Sequence, residues 1–181
     1  EAQGVYNDLH QVLGVTSLTG VRVFNRYDVE HIDEELFIRC RTRVFSEMQT
    51  DDLYDALPIA EAKLLAVEYL PGQFDMRSAA AEECIRLLCP TAAPTVRTAR
   101  VYMLTGALND ADMAAIRRQL INPVECREAS MDAYETLTAD YPDAADVPTI
   151  EAFLDMDDAA LGALRQSYGL AMDEADVHFT Q

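Results

Sequence analysis

One stretch of this chain occurs twice, and the first occurrence is cut short. GVRVFNRYDVEHIDEELFIRCRTRVFSE (Gly20 to Glu47) overlays TARVYMLTGALNDADMAAIRRQLINPVE (Thr98 to Glu125) without a gap at an offset of 78 residues. Arg22 then falls on Arg100, Phe24 on Tyr102, Ile38 on Ile116 and Glu47 on Glu125. Upstream, GVYNDLHQVL (Gly4 to Leu13) overlays AAAEECIRLL (Ala79 to Leu88) at an offset of 75, which gives the second copy about three extra loop residues. The second copy also opens on an apolar run, LLAVEYL (Leu64 to Leu70), whose counterpart at the same offset would lie roughly five to twelve residues before Glu1. The first copy therefore reads as lacking its opening strand, and the chain as a fragment cut through structure.

A duplicated unit of this size must bury a face. Each copy reads as strand, helix, strand, helix, and a sheet covered by helices on one side leaves its other side bare until a second copy packs on it. The expected fold class is α+β: two tandem strand-helix-strand-helix repeats forming a pseudo-dimer, with antiparallel sheet, helices on one face and a short helical region after them. With 181 residues and 50% apolar content the chain has material for a substantial core. Its formal charge of −18 argues against a nucleic-acid partner, which would be gripped by clustered Lys and Arg. No apolar run is long enough to span a membrane and EAQGVYNDLH is no signal peptide, so neither points to a membrane. Cys40, Cys84, Cys89 and Cys126 show neither CxxC spacing nor a nearby His, and are expected to be free, buried thiols in a reducing cytoplasm.

Periodicity fills in the elements. Val5, Leu9, Val12 and Leu13 share a helical face over residues 3–13, with Gly14 as the stop. Val21 to Tyr27 reads as a half-buried strand, followed by a turn and a short return strand over Val29 to Ile32. Leu36, Phe37, Cys40 and Val44 then mark a helix capped by Asp33. The second copy predicts a strand over 64–70, a Pro71-Gly72 loop, a helix over 75–89, a strand over 96–104 and a helix over 110–121. Asn109 or Asp110 caps that last helix, Met113, Ile116 and Leu120 face inward, and Pro123 ends it. This assigns residues 1–58 to copy one, 59–130 to copy two, 131–149 to a linker and 150–181 to a helical region. In that region Asp155 is placed to cap a helix with Leu161, Leu164 and Tyr168 inward, Gly169 to stop it and Asp173 to cap another.

No assembled catalytic constellation is visible. His10, His31 and His178 lie on unrelated elements, and the adjacent pairs Asp51-Asp52, Glu82-Glu83 and Asp157-Asp158 do not converge on one substrate atom. Two segments look constrained beyond packing. In VEYLPGQFDMRSAAAEECIRLL (Val67 to Leu88) a tight turn brings Gln73, Asp75 and Arg77 around a helix N-terminus, where an anion or a partner loop would bind unless Asp75 merely caps the helix. In INPVECREAS (Ile121 to Ser130), Glu125, Arg127 and Glu128 project from an extended segment that either docks a neighbouring domain or satisfies itself. These six residues are the candidate docking set. No residue is assigned a catalytic, cofactor-binding or metal-binding role.

VEYLPGQFDMR, VRTARVYMLTGALND, LINPVECREAS, VRVFNRYDVE and RVFSEMQTDDLYDALP resemble the N-terminal region of the long, single-chain phosphoribosylformylglycinamidine synthases, and the likeness extends to the tail SYGLAMDEADVHFTQ. In that family this region resembles two fused copies of the small accessory subunit of split synthases, followed by a helical linker domain. The resemblance implies a glutamine- and ATP-dependent ligase of purine synthesis, with ATP and magnesium bound by parts of the parent that follow Gln181. There too would lie the SDHCRH-type stretch and the glutaminase cysteine, so the resemblance implies no catalytic residue here. It implies bracing of the synthetase and glutaminase domains, and help in keeping ammonia between their sites. The other reading is a free-standing regulatory module with a small ligand between its two repeats. In either case an incomplete first copy would expose a sheet edge and invite artefactual dimerisation.

Overall fold

The computed structural model describes residues 1–58, 61–138, 146–147 and 149–181, which fall into two compact units, Glu1–Asp140 and Tyr141–Gln181. The first unit is α+β. Its elements are α1 (Ala2–Asn7, continued by a π-helical turn over Asp8–Val12), β1 (Leu18–Glu30), α2 (Glu34–Arg41), β2 (Lys63–Tyr69), α3 (Met76–Leu88), β3 (Thr95–Gly106), α4 (Asp110–Leu120) and β4 (Cys126–Glu128). The four strands form one antiparallel sheet in the order β1-β3-β2-β4.

Alternation along the strands places all four helices on one face. Val21, Val23, Tyr27 and Val29 of β1, Leu65 and Val67 of β2, and Val96, Tyr102 and Leu104 of β3 point toward them. The helices do not pair within a copy. Leu9 of α1 shares a cluster with Met113 and Ile116 of α4, whereas Leu36 and Cys40 of α2 share one with Ala81 and Ile85 of α3. Such exchange is what joins two copies into one pseudo-dimer. Each copy covers the sheet with one helix of its own and one of its sibling's.

The register corrects the overlay of the strands. At the gap-free offset of 78, Phe24 would match Tyr102, yet Tyr102 faces the helices and Phe24 the opposite side with Ala66, Ala99 and Val101. Because side chains alternate with a period of two, an even offset between strands whose inward residues are odd in one and even in the other exchanges core for exterior. An offset of 75 restores the match: Tyr27 falls on Tyr102, Val29 on Leu104 and Asn25 on Arg100. Asn25 and Arg100 are also paired directly across β1 and β3. The pseudo-two-fold axis therefore passes through that pair. The three extra loop residues do not exist as such, since five residues link the first helix to its strand in copy one (13–17) and six in copy two (89–94).

Other expectations move for local reasons. Val12 is 81% exposed, because the Leu13 amide donates to the Asp8 carbonyl at 2.9 Å in a wider π turn that swings the last residues off the buried face. No return strand follows β1, which runs unbroken to Glu30, where His31 turns the chain at a φ of 64°. Asp33 caps α2 as expected, accepting from the Leu36 amide at 2.8 Å. Asn109 and Asp112 form a reciprocal capping box at the start of α4. Gly106 is required: at a φ of 140° beside the bulge between Leu18 and Gly20, a Cβ there would run into the Ser17 carbonyl.

The segment read as a linker divides. Positions 139–145 and 148 lie outside the described residues, but the preceding stretch is no free linker: Ala129 and Leu137 are buried, and the Leu137 amide donates to Glu30 at 2.9 Å. In the second unit a 3₁₀ turn (Phe153–Asp155) precedes α5 (Asp158–Tyr168) and α6 (Glu174–Thr180). The α5 cap is Asp157, not Asp155, because its carboxylate reaches the Ala160 amide at 2.9 Å. Leu161 is buried as expected, whereas Tyr168 is exposed. Gly169 ends α5 in the left-handed region at a φ of 62°, and Asp173 caps α6 in a box with Asp176.

Candidate functional site

The two segments singled out in the sequence meet at one end of β2 and β4. The Leu70 amide donates to the Glu125 carbonyl at 2.8 Å, and the Gln73 side chain reaches the Val124 carbonyl at 3.4 Å. Gly72 makes the first turn at a φ of 89°, with the Gln73 amide closing on the Leu70 carbonyl at 3.0 Å. Asn122 organises the second: its carbonyl accepts from the Glu125 and Cys126 amides and its side chain from the Val124 amide. Together the turns lift apolar residues into solvent. Phe74, Met76 and Val124 are each 73% exposed. The sequence reading missed all three, because it weighed only polar side chains there.

The six candidate residues separate under this geometry. Gln73 and Glu125 belong to the paired loops, and Glu125 is exposed. Asp75 is occupied as a cap, accepting from the Arg77 and Ser78 amides at 3.0 and 3.1 Å and from the Thr98 hydroxyl at 2.7 Å. Arg77, the residue after the loop, reaches the Tyr27 hydroxyl of β1 at 3.3 Å. Glu128 pairs with Arg117 of α4 at 2.9 Å. That contact raises the Arg117 pKa, with the hydrogen bond to Glu128 as the chief cause. Arg127 pairs with Glu68 of β2 at 2.7 Å, so the charges of Arg127 and Glu128 are met by the rest of the first unit, not within the INPVECREAS segment.

Glu68 anchors the face of the sheet that carries no helix. It is 6% exposed and receives Arg127, Arg97 at 3.2 Å and the Tyr134 hydroxyl at 3.2 Å. The Tyr134 ring is flanked by two guanidinium groups, Arg97 at 4.8 Å and Arg26 at 5.3 Å from its centre. Arg26 in turn binds Asp28 at 2.7 Å and donates to the Ser130 carbonyl at 2.6 Å. Burial opposes the Arg26 charge, but Asp28 and Tyr134 outweigh it and raise the pKa. This lattice straps residues 129–137 onto the sheet. It binds structure to structure, and among its described side chains the Arg26 Nη2 is a buried donor without a partner.

The remaining chemistry-bearing residues stay dispersed. His10 stacks on Tyr6, His31 contacts Thr95 at 3.1 Å, and His178 lies 3.4 Å from Asp158 in the second unit. Of the four free cysteines only Cys40 is buried; Cys89 and Cys126 are half-buried and Cys84 is exposed, which corrects the expectation of buried thiols. Among the described residues no group of three His, Cys, Asp or Glu side chains is placed to hold a metal ion, and no helix is long and apolar enough to cross a membrane. No protein-family profile matches the chain, and no curated protein sequence matches it either.

Proposed function

We propose that this chain is a non-catalytic assembly region of a phosphoribosylformylglycinamidine synthase, a cytoplasmic glutamine- and ATP-dependent ligase of purine synthesis. The observation that carries the reading is the pair of loops at 70–76 and 122–125, fastened to each other and holding Phe74, Met76 and Val124 in water. Exposed apolar side chains grouped on rigid turns suit a contact with another protein surface. The fused two-copy sheet supports the same reading, since it matches what the sequence resemblance implies for this part of the parent. The exchanged helices make that sheet one rigid support, and a rigid support transmits a docking contact.

In this reading the loops dock on the synthetase or glutaminase domain of the same chain. ATP and magnesium are held elsewhere in the parent, and the work done here is to keep two distant sites in register so that ammonia passes between them. The test uses the full-length synthase carrying Phe74→Ser and Val124→Ser together. Glutamine hydrolysis should continue while amidine formation falls behind it, and free ammonia should appear. Unchanged stoichiometry between the two reactions would remove the assembly role.

A further inference from the structure

The two helix pairs leave a gap over the middle of the sheet. One half of the core gathers around α1 and α4 and the other around α2 and α3; between them lies a cavity of about 600 Å³, within the size range of small-molecule sites. Its floor is the pair on the pseudo-two-fold axis, Asn25 and Arg100, with the axis-related Tyr27 and Tyr102 on either side. Its wall is the first two turns of α3, from Met76 and Arg77 to Cys84. Asn25 and Arg100 are both exposed, so the sheet is open to water at its centre, between the two helix pairs.

The cations in this cavity are poorly explained by the fold. Arg77 stands in the first turn of a 13-residue helix, where the helix dipole disfavours positive charge. It has no ion pair among the described residues and touches only the Tyr27 hydroxyl. Arg100 meets the Glu1 carboxylate at 3.3 Å, a contact between two side chains that are each about half exposed. Of the two carboxylates in the lining, Asp75 is committed to its cap and to Thr98, and Glu68 is held by Arg97 and Arg127. In a chain with 14 basic and 32 acidic residues, two arginines on one cavity whose lining acids are already engaged elsewhere mark it for an anion.

We propose that this cavity binds a small organic phosphate, with the phosphoryl group between Arg77 and Arg100 and the organic part against Tyr27, Tyr102 and Met76. Two guanidinium groups from separate elements offer paired N–H donors to phosphate oxygens, and the arriving anion displaces the exposed Glu1 from Arg100. The site shares Met76 with the docking loops but neither Phe74 nor Val124.

Phenyl phosphate is the probe. Calorimetric titration of the 181-residue chain should give saturable binding with one site. Arg77→Ala, on an exposed helix turn that tolerates the change, should weaken it at least about tenfold, with Arg77→Lys falling between. Arg100→Gln should weaken it as much, its fold checked by circular dichroism. Bound phenyl phosphate should also slow maleimide labelling of Cys84 while leaving Cys89 unaffected, as read by peptide mass spectrometry. Absence of saturable binding, equal binding of uncharged phenol, wild-type affinity in Arg77→Ala, or unshielded Cys84 would each overturn the proposal.

Discussion

The two long strands, β1 and β3, have the same plan and different surroundings. β3 is paired along both sides, to β1 over twelve positions from Leu18 to Glu30 and to β2 over five, whereas β1 is the edge of the sheet. The pseudo-two-fold that relates them would place a counterpart of β2 beside β1, and no described strand pairs there. Copy one also has no counterpart of β4: the residues matching Cys126–Glu128 at the later offset of 78, Met48 to Thr50, form a turn. The two segments share no residue, Met-Gln-Thr against Cys-Arg-Glu, so the likeness between copies ends before β4, and the ladder with β2 that β4 joins has no counterpart beside the described part of copy one.

Truncations in the core break this comparison most strongly. Leu104→Ala, in the fully buried part of β3, should lower unfolding stability by about 3–5 kcal/mol, measured by chemical denaturation. Val29→Ala, at the half-buried end of β1, should lose only about 1 kcal/mol. Equal losses would mean the edge strand is as firmly held as the central one. Gly106→Ala should rank with the larger effect, since relief of its clash requires the bulge at Leu18 to move.

Glu68 gives the next largest effect. Glu68→Gln leaves Arg97 and Arg127 short of their common acceptor and should cost about 2 kcal/mol, less than a fully buried pair because both arginines are partly wet. It should also release the strap at Tyr134, seen as faster hydrogen exchange at Leu137. Protection at Leu137 unchanged by the substitution would show that the strap is held by packing instead. The caps come below this. Asn109→Ala and Asp33→Ala should each cost about 1 kcal/mol. If Asp33→Ala costs distinctly less, the helix of copy one is the more frayed of the two.

Thiol chemistry offers the finest discrimination and leaves stability untouched. Hydrogen bonding with Thr91 is the main cause of a lowered Cys89 pKa, whereas burial raises those of Cys40 and Cys126. Thiolate is the reactive form, so as pH rises Cys89 should begin to react with iodoacetamide at a lower pH than Cys126. Cys40, at zero exposure, should react last and only as the α2–α3 half opens. Simultaneous onset at Cys89 and Cys126 would contradict these environments.

What could be read in advance was what local chemistry determines. The caps at Asp33, Asn109 and Asp173 were legible because donor and acceptor lie three residues apart, and the strands because alternation shows within a few residues. The cap placed at Asp155 belongs to Asp157, because acids precede this apolar run at both positions and only the backbone decides which carboxylate meets a free amide. The Glu68 lattice was not legible, as its members Arg97, Arg127 and Tyr134 are scattered along the chain. Nor was the strand offset, where matching residue types at 78 outvoted the parity that pairing imposes. Of the docking set the two segments were singled out separately, but their meeting was not legible, because it rests on backbone contacts between residues about fifty positions apart, and the side chains they present to solvent are apolar.

The axis through Asn25 and Arg100 has one more consequence. Two identical chains related by a two-fold must place the same residue on both sides of it, and two arginines there would face each other as like charges. Joining the copies in one polypeptide removes that constraint, so one partner is an amide and the other a guanidinium. Covalent fusion has thus made a self-mirrored position into a polar one with a direction, something no homodimer of either copy could hold.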